Sequence, residues 1–197
     1  MASKIQIVNM SLSHLGMNKI TSLSQDDPNA IAADTFWEDA LNDVYSEHRW
    51  PFANVQERLA ELTDEIIGWS YVYAYPNKAS MVFYVYDEGT ADQKKEANEF
   101  EVVYIPSSNK RVICTNIADA YAEYTYKVTD TTLWNAKFTM AFSYKLAAMM
   151  AHTLTGDADK GISLLNIYNA VITDAKRLSH QEKIKKPFRQ SSAYDAR

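Results

Sequence analysis

Ile5, Val8, Leu12 and Leu15 recur at the three- and four-residue spacing of one helix face. Gly16 follows at the position where a helix is closed by a residue with positive φ. The spacing predicts a short amphipathic helix that ends there. Residues 17–27 are mostly polar, and Asp27–Pro28 has the form of an N-cap followed by proline at the first helical position. A second helix is expected from Pro28, with Ile31, Phe36, Trp37, Ala40, Leu41, Val44 and Tyr45 on a broad apolar face and Asp34, Glu38, Asn42 and Asp43 mostly opposite. It must stop near Arg49, because Pro51 restricts Trp50 and has no amide proton to donate. Trp50, Pro51 and Phe52 then form a structural corner that redirects the chain.

Beyond Phe52 the period changes to two. Tyr71, Tyr73 and Tyr75 alternate, as do Val82, Tyr84 and Tyr86, then Phe100, Val102 and Tyr104, and later Ala122, Tyr124, Tyr126 and Val128. These runs predict strands. Ile105 to Ile113 places Pro106, Ser107, Ser108 and Asn109 between two apolar runs, as a hairpin requires. Residues 87–98 are charged and contain Gly89, which predicts an exposed loop. A small antiparallel sheet of four to six strands fits this middle third.

Helical spacing returns after Asp130, where Phe138, Phe142, Leu146 and Met149 follow one another and Ala141, Ala147, Ala148 and Ala151 supply small packing positions. Thr155–Gly156–Asp157 breaks that helix. A last helix is expected to about Ser179, carrying Ile162, Leu165, Tyr168, Val171, Ile172, Ala175 and Leu178. The order is helix, helix, sheet, helix, helix, tail. That segregation predicts an α+β fold: a helical bundle domain from residues 1–51 and 130–181, an inserted antiparallel β-domain over 52–129, and an extended C-terminal tail over 182–197.

Composition narrows the function. The single Cys114 cannot form an internal disulfide, and one Cys with four His spread along the chain cannot build a zinc quartet, so synthesis in a reducing compartment is expected. Cys114 lies in the strand-like run Val112-Ile113-Cys114, where a buried thiol acts as a small hydrophobe. His14, His48, His152 and His180 show no H-E-x-x-H pairing, and each lies near a predicted helix end. Five glycines leave no room for a phosphate-binding glycine loop. No secretory leader or run of apolar residues long enough to span a membrane is read, and a packed soluble protein is expected. Glu57, Glu61, Asp64 and Glu65 form an acidic cluster that could supply the paired carboxylates of a glycosidase, although such clusters are usually a solvated face. No catalytic, cofactor-binding or metal residue is assigned.

The net charge is −5, yet Lys183, Lys185, Lys186, Arg189 and Arg197 cluster in the tail, too small a footprint for a dedicated DNA reader. An acidic surface does suit a channel past which DNA must slide. Thirteen Tyr and four Trp exceed what one small core needs and suit half-buried interfaces.

Three segments carry a resemblance. Ile7-Val8-Asn9-Met10-Ser11-Leu12-Ser13-His14-Leu15-Gly16, then Ile20-Thr21-Ser22-Leu23 and Pro28-Asn29-Ala30, resembles the opening of tail tubular protein A, the head-to-tail adaptor family of short-tailed bacteriophages. Glu47-His48-Arg49-Trp50-Pro51-Phe52-Ala53 is similar to that family's W-x-F-A signature. Tyr126-Lys127-Val128-Thr129-Asp130 with Trp134, Phe138 and Lys145-Leu146-Ala147-Ala148 resembles its approach to the third helix, and Trp69-Ser70-Tyr71 with Tyr75-Pro76 its aromatic strand. The match runs over residues 5–180. It departs at Asn77-Lys78-Ala79, where the family often has Pro-Ala-Asp, and at Pro51, where many members carry a polar residue.

The resemblance implies a non-enzymatic virion protein, made in the host cytoplasm and placed in the neck of the particle. It implies a homo-oligomeric ring, a dodecamer, that binds the portal protein above and a tail nozzle like tail tubular protein B, with a tail fibre, below. Double-stranded DNA would cross the lumen without sequence-specific binding, and no membrane is involved. In that setting Lys183, Lys185, Lys186 and Arg189 would pair with acidic groups of the portal, with Phe188 as an apolar anchor. Two alternatives remain at this stage: a tail-associated component that cleaves glycan or peptidoglycan, and a β-domain binding module with no ring.

Overall fold

The computed structural model describes residues 2–89 and 99–181. The expected tail, with Lys183, Lys185, Lys186, Phe188 and Arg189, lies outside the described residues, as does most of the expected loop over 87–98.

Helix α1 spans Lys4–Leu15. Its start is a capping box: Gln6 N donates to Ser3 Oγ at 3.2 Å, and Ser3 N donates to Gln6 Oε1 at 2.8 Å. Gly16 closes it at φ 72°, the left-handed conformation a side chain disfavours. The linker that follows is pinned by Asn9, which exchanges two hydrogen bonds with the Ile20 backbone at 2.8 and 2.9 Å. Helix α2, Pro28–Ser46, begins as expected with Asp27 as N-cap, its carboxylate accepting from Asn29 N at 2.8 Å. Ala30, Ala33, Trp37, Ala40, Leu41, Val44 and Tyr45 turn inward. Ile31 does not, and is 55% exposed. At 3.6 residues per turn it stands about 120° around the helix from Trp37, off the buried stripe.

The corner is buried rather than looped. Trp50 is fully inaccessible, donates Nε1–H to Val44 O at 3.0 Å, and meets Phe138 edge-on at 4.9 Å. A single 3-10 turn, Pro51–Ala53, leads into the strands β1 Asn54–Arg58, β2 Tyr71–Ala74, β3 Ala79–Tyr86, β4 Phe100–Ile105, β5 Lys110–Thr115 and β6 Tyr121–Tyr126. The hairpin at 105–110 is present, joining β4 and β5.

One sheet was expected, and there are two, ordered β1-β6-β3 and β2-β5-β4, both antiparallel. β6 lies between β1 and β3 and β5 between β2 and β4, and laying one triplet on the other buries apolar faces that a single open sheet would leave in water. The sheets share a core in which Tyr73 and Ile113 of one meet Val82, Val85, Ala122 and Tyr124 of the other. The outer face of β2-β5-β4 buries Val72, Val112 and Cys114 beneath Leu62, Ile66 and Trp69.

Two alternations shift. In β3, irregularities between Ala79 and Met81 and between Val82 and Tyr84 break the period, so that Val82, Val85 and Tyr86 are buried and Tyr84 is only half-buried. In β4, Val102 and Tyr104 are 42% and 55% exposed, because they lie on an edge strand that nothing covers among the described residues.

Helix α3, Ala136–Thr155, is capped by Asn135, whose Oδ1 accepts from Phe138 N at 2.7 Å, and is closed by Gly156 at φ 66°. Phe138, Phe142, Leu146 and Met150 are buried, with Met149 only partly so. Helix α4, Ala158–Gln181, lies against α3 through Leu164, Tyr168, Ile172 and Ala175. That seam repeats every three or four residues and is narrow. Ile162 and Leu165, expected inside, fall beside it and are exposed. Residues of all four helices share one apolar core, and α3 touches each of the other three. Among the described residues, four helices and two antiparallel sheets, segregated in sequence, agree with an α+β class. No helix among the described residues is long and apolar enough to cross a membrane.

Truncating Trp50 to Ala removes a fully buried ring and leaves a cavity against Phe138. Urea unfolding should register a loss of about 3–5 kcal/mol, as a lower midpoint at unchanged slope.

Candidate functional site

The corner sets the first cluster. Arg49 forms an ion pair with Glu123 of β6, whose side chain is fully buried. Asn54 ties the two together: its Nδ2 donates to Glu123 Oε1 at 2.8 Å and its Oδ1 accepts from Arg49 Nε at 3.1 Å. The guanidinium lies over the rings of Tyr84 and Phe83, at 5.4 and 5.8 Å. On the other side His48 Nε2 meets Ser179 Oγ of α4 at 2.9 Å, and Lys176 pairs with Glu47 at 2.7 Å. Tyr45 and Trp134 both donate to Val128 O, at 3.0 and 3.1 Å. Trp50, Pro51 and Phe52 are packed inside this joint between helices and sheets, with Pro51 and Phe52 half-buried. Reading the strand as an alternating run missed Glu123. A lone acid between Ala122 and Tyr124, in a strand with no other charge, was the available signal.

The acidic cluster does not converge on an enclosed site. Glu57, Glu61, Asp64 and Glu65 are all exposed. Glu57 accepts from the Tyr124 hydroxyl at 2.7 Å, and Glu61 takes part in a single backbone bridge with Tyr73. Burial pushes the Cys114 thiol up, away from the thiolate a nucleophile needs. Among the described residues no group of His, Cys, Asp and Glu could hold a metal ion.

His14 stacks on Tyr144 at 4.0 Å, and its Nε2 lies 3.1 Å from Ser143 Oγ. Ser143 donates its own proton to Met140 O, so the ring nitrogen is the donor in this contact. Burial holds the His14 pKa below its ordinary 6.5.

Two kinds of surface remain. Exposed apolar side chains stand on β4, as Val102 and Tyr104, and on α4, as Ile162, Leu165 and Ile167. A cleft of about 500 Å³ opens at one end of the β-sandwich, between the Tyr75–Ala79 turn and the start of β5. Lys78, Lys110 and Arg111 line it, over a floor that includes Leu62, Ala74 and Pro76. The pattern of charge along the chain predicts a basic cluster in the tail alone. These cations were missed because Lys78 is about thirty residues from the other two, and only the pairing of β2 with β5 brings the segments together. No protein-family model matches the chain, and no curated protein matches it.

Replacing Glu123 by Ala leaves the Arg49 charge without its buried partner, so stability should fall by about 3–5 kcal/mol. The paired change Arg49→Met with Glu123→Leu should recover most of that loss in the same unfolding assay. The depressed His14 pKa predicts a pH effect of definite sign. The unfolded chain takes up the proton first, so melting temperature should decline as pH drops below about 6.5 and on through the folded-state pKa. His14→Gln should flatten that part of a scan from neutral to mildly acidic pH.

Proposed function

We propose that the chain is the head-to-tail adaptor subunit of a short-tailed bacteriophage, a structural and non-enzymatic protein of the virion like tail tubular protein A. The two N-terminal and two C-terminal helices are read as its helical bundle, and residues 52–129 as its inserted β-domain. Copies assemble in a ring, a dodecamer by the resemblance, with the portal above and the nozzle and tail fibre below. DNA crosses the lumen without being read. The segment holding Lys183, Lys185, Lys186, Phe188 and Arg189 docks on the portal.

One observation carries this reading. A closed ring needs two different faces per subunit, since each copy meets the next head to tail. Val102 and Tyr104 on β4 and Ile162, Leu165 and Ile167 on α4 are exposed apolar positions on separate elements. They suit the two halves of such an interface. Of the strand tyrosines Tyr104 is the exposed one, Tyr71, Tyr75, Tyr84, Tyr121 and Tyr126 are half-buried, and Tyr73, Tyr86 and Tyr124 are buried and so take no part in it.

The full-length chain mixed with the portal of the same phage should appear in electron micrographs as a ring beneath it. Deleting 183–197 should abolish that binding while the circular dichroism spectrum keeps its helix content. Full-length protein without affinity for the portal overturns the proposal. For the ring faces, Val102→Asp and Ile162→Asp variants should each fail to close a ring alone. Mixed together they should form heterodimers, since one intact contact survives between them. A pair that still closes rings rejects the assignment of those faces.

A further inference from the structure

Most lysines and arginines among the described residues are held by carboxylates: Lys4 by Asp34, Arg58 by Asp119, Lys127 by Glu38, Lys137 and Arg177 by Asp174, Lys145 by Asp43, Lys176 by Glu47. Lys19, Lys78, Lys110, Arg111 and Lys160 are not, and Lys160 donates to Leu15 O instead. No carboxylate among the described residues pairs with Lys78, Lys110 or Arg111, and all three line one cleft in a chain of net charge −5. Like charges lining one cleft without counter-charges raise the local positive potential and so favour an anion there.

The cleft is built for more than a point charge. Arg111 Cζ sits 4.1 Å from the centroid of the Tyr75 ring, which restrains the guanidinium before any ligand arrives. Lys78 is held at the lip by a turn in which it adopts φ 61°, with its ammonium 6.0 Å from the Tyr126 ring. The volume of about 500 Å³ falls in the range of roughly 300–1,000 Å³ typical of small-ligand sites. Its floor is apolar and its rim cationic, which matches a ligand that is flat and apolar at one end and strongly anionic at the other.

We propose that this cleft binds a nucleotide unit, its phosphate among Lys78, Lys110 and Arg111 and its base against the floor formed by Leu62, Ala74 and Pro76. A guanidinium fork takes two phosphate oxygens at once, and the two ammonium groups meet the remaining charge. A lone carboxylate would use one of the three cations. The unit is either a free nucleotide or one residue of a single strand, for a base face against the apolar floor and phosphate contact are common to both. The proposal stands on the cleft alone, independent of ring assembly.

The test is fluorescence anisotropy with a labelled oligothymidine strand on the full-length protein at low salt, with free thymidine monophosphate as competitor. Arg111→Ala should weaken binding about tenfold or more. Lys78→Gly should weaken it several-fold and lower the slope of log affinity against log salt by about one. Glycine is at ease at the positive φ of that position, so this variant should melt no lower than the parent, which separates lost binding from lost fold. Changing Lys185 and Lys186 to Ala should leave the cleft affinity unchanged. Competition by the monophosphate at the strand's own affinity assigns the free nucleotide, and much weaker competition assigns the strand. Three results overturn the proposal: neither probe binds, both cleft variants bind like the parent, or polyglutamate of equal charge competes as well as the strand. Portal binding by Lys78→Gly should be intact, so a failure here leaves the adaptor reading untouched.

Discussion

An arginine and a glutamate must enter low-dielectric surroundings together at the point where the chain passes from helix to sheet. Removing two charges from water is costly, and the Arg49–Glu123 pair is tolerable only because Asn54 bonds to both members and two aromatic rings flank the guanidinium. That requirement has geometric force. Glu123 is on β6, and β6 is the strand to which both β1 and β3 are registered. Holding Glu123 against Arg49 therefore sets where a whole sheet stands relative to the end of α2. An apolar contact in the same place would permit sliding, whereas a hydrogen-bonded ion pair does not.

The two ends of this joint are of different character. On the helical side the contact is aromatic, with Trp50, Phe52 and Phe138 meeting at centroid distances of 4.9 to 6.3 Å. On the sheet side it is polar. Between them, Val128 O accepts from Tyr45 and Trp134, so the segment leaving β6 is fastened to α2 and to the approach to α3 by one carbonyl. The basic cleft opens at this same end of the sheets, since Lys78 O accepts from Lys127 N, one residue before Val128.

Local signals along the chain were the most legible. Asp27–Pro28, Gly16 and Gly156 act through their own backbone, and the elements they bound came out where the residue types placed them. Facing was less legible. The positions of Ile31, Ile162 and Leu165 depend on which neighbour a helix meets and how wide the seam is, and a 3.6-residue period alone does not say. The number of sheets was hidden for a similar reason, since strand alternation does not reveal which strands pair with which. Glu123 and the Lys78, Lys110 and Arg111 cleft needed contacts across 74 and about 30 residues respectively, counted from Arg49 to Glu123 and from Lys78 to Lys110. No window of sequence contains both partners.

Helices from the two ends of the chain share one core, with the strands between them in sequence. During synthesis α1 and α2 leave the ribosome long before α3 exists, and α3 is the helix that both of them touch. Their apolar faces must wait, exposed, while the β4-β5 hairpin folds from local contacts and β1, β2 and β3 are completed only by the later β5 and β6. A nascent chain stalled before residue 155 would hold finished strands beside an unfinished core, and such a fragment is a substrate for chaperones and proteases. Completion of α3 and α4 is therefore also the moment at which the chain first becomes safe to accumulate.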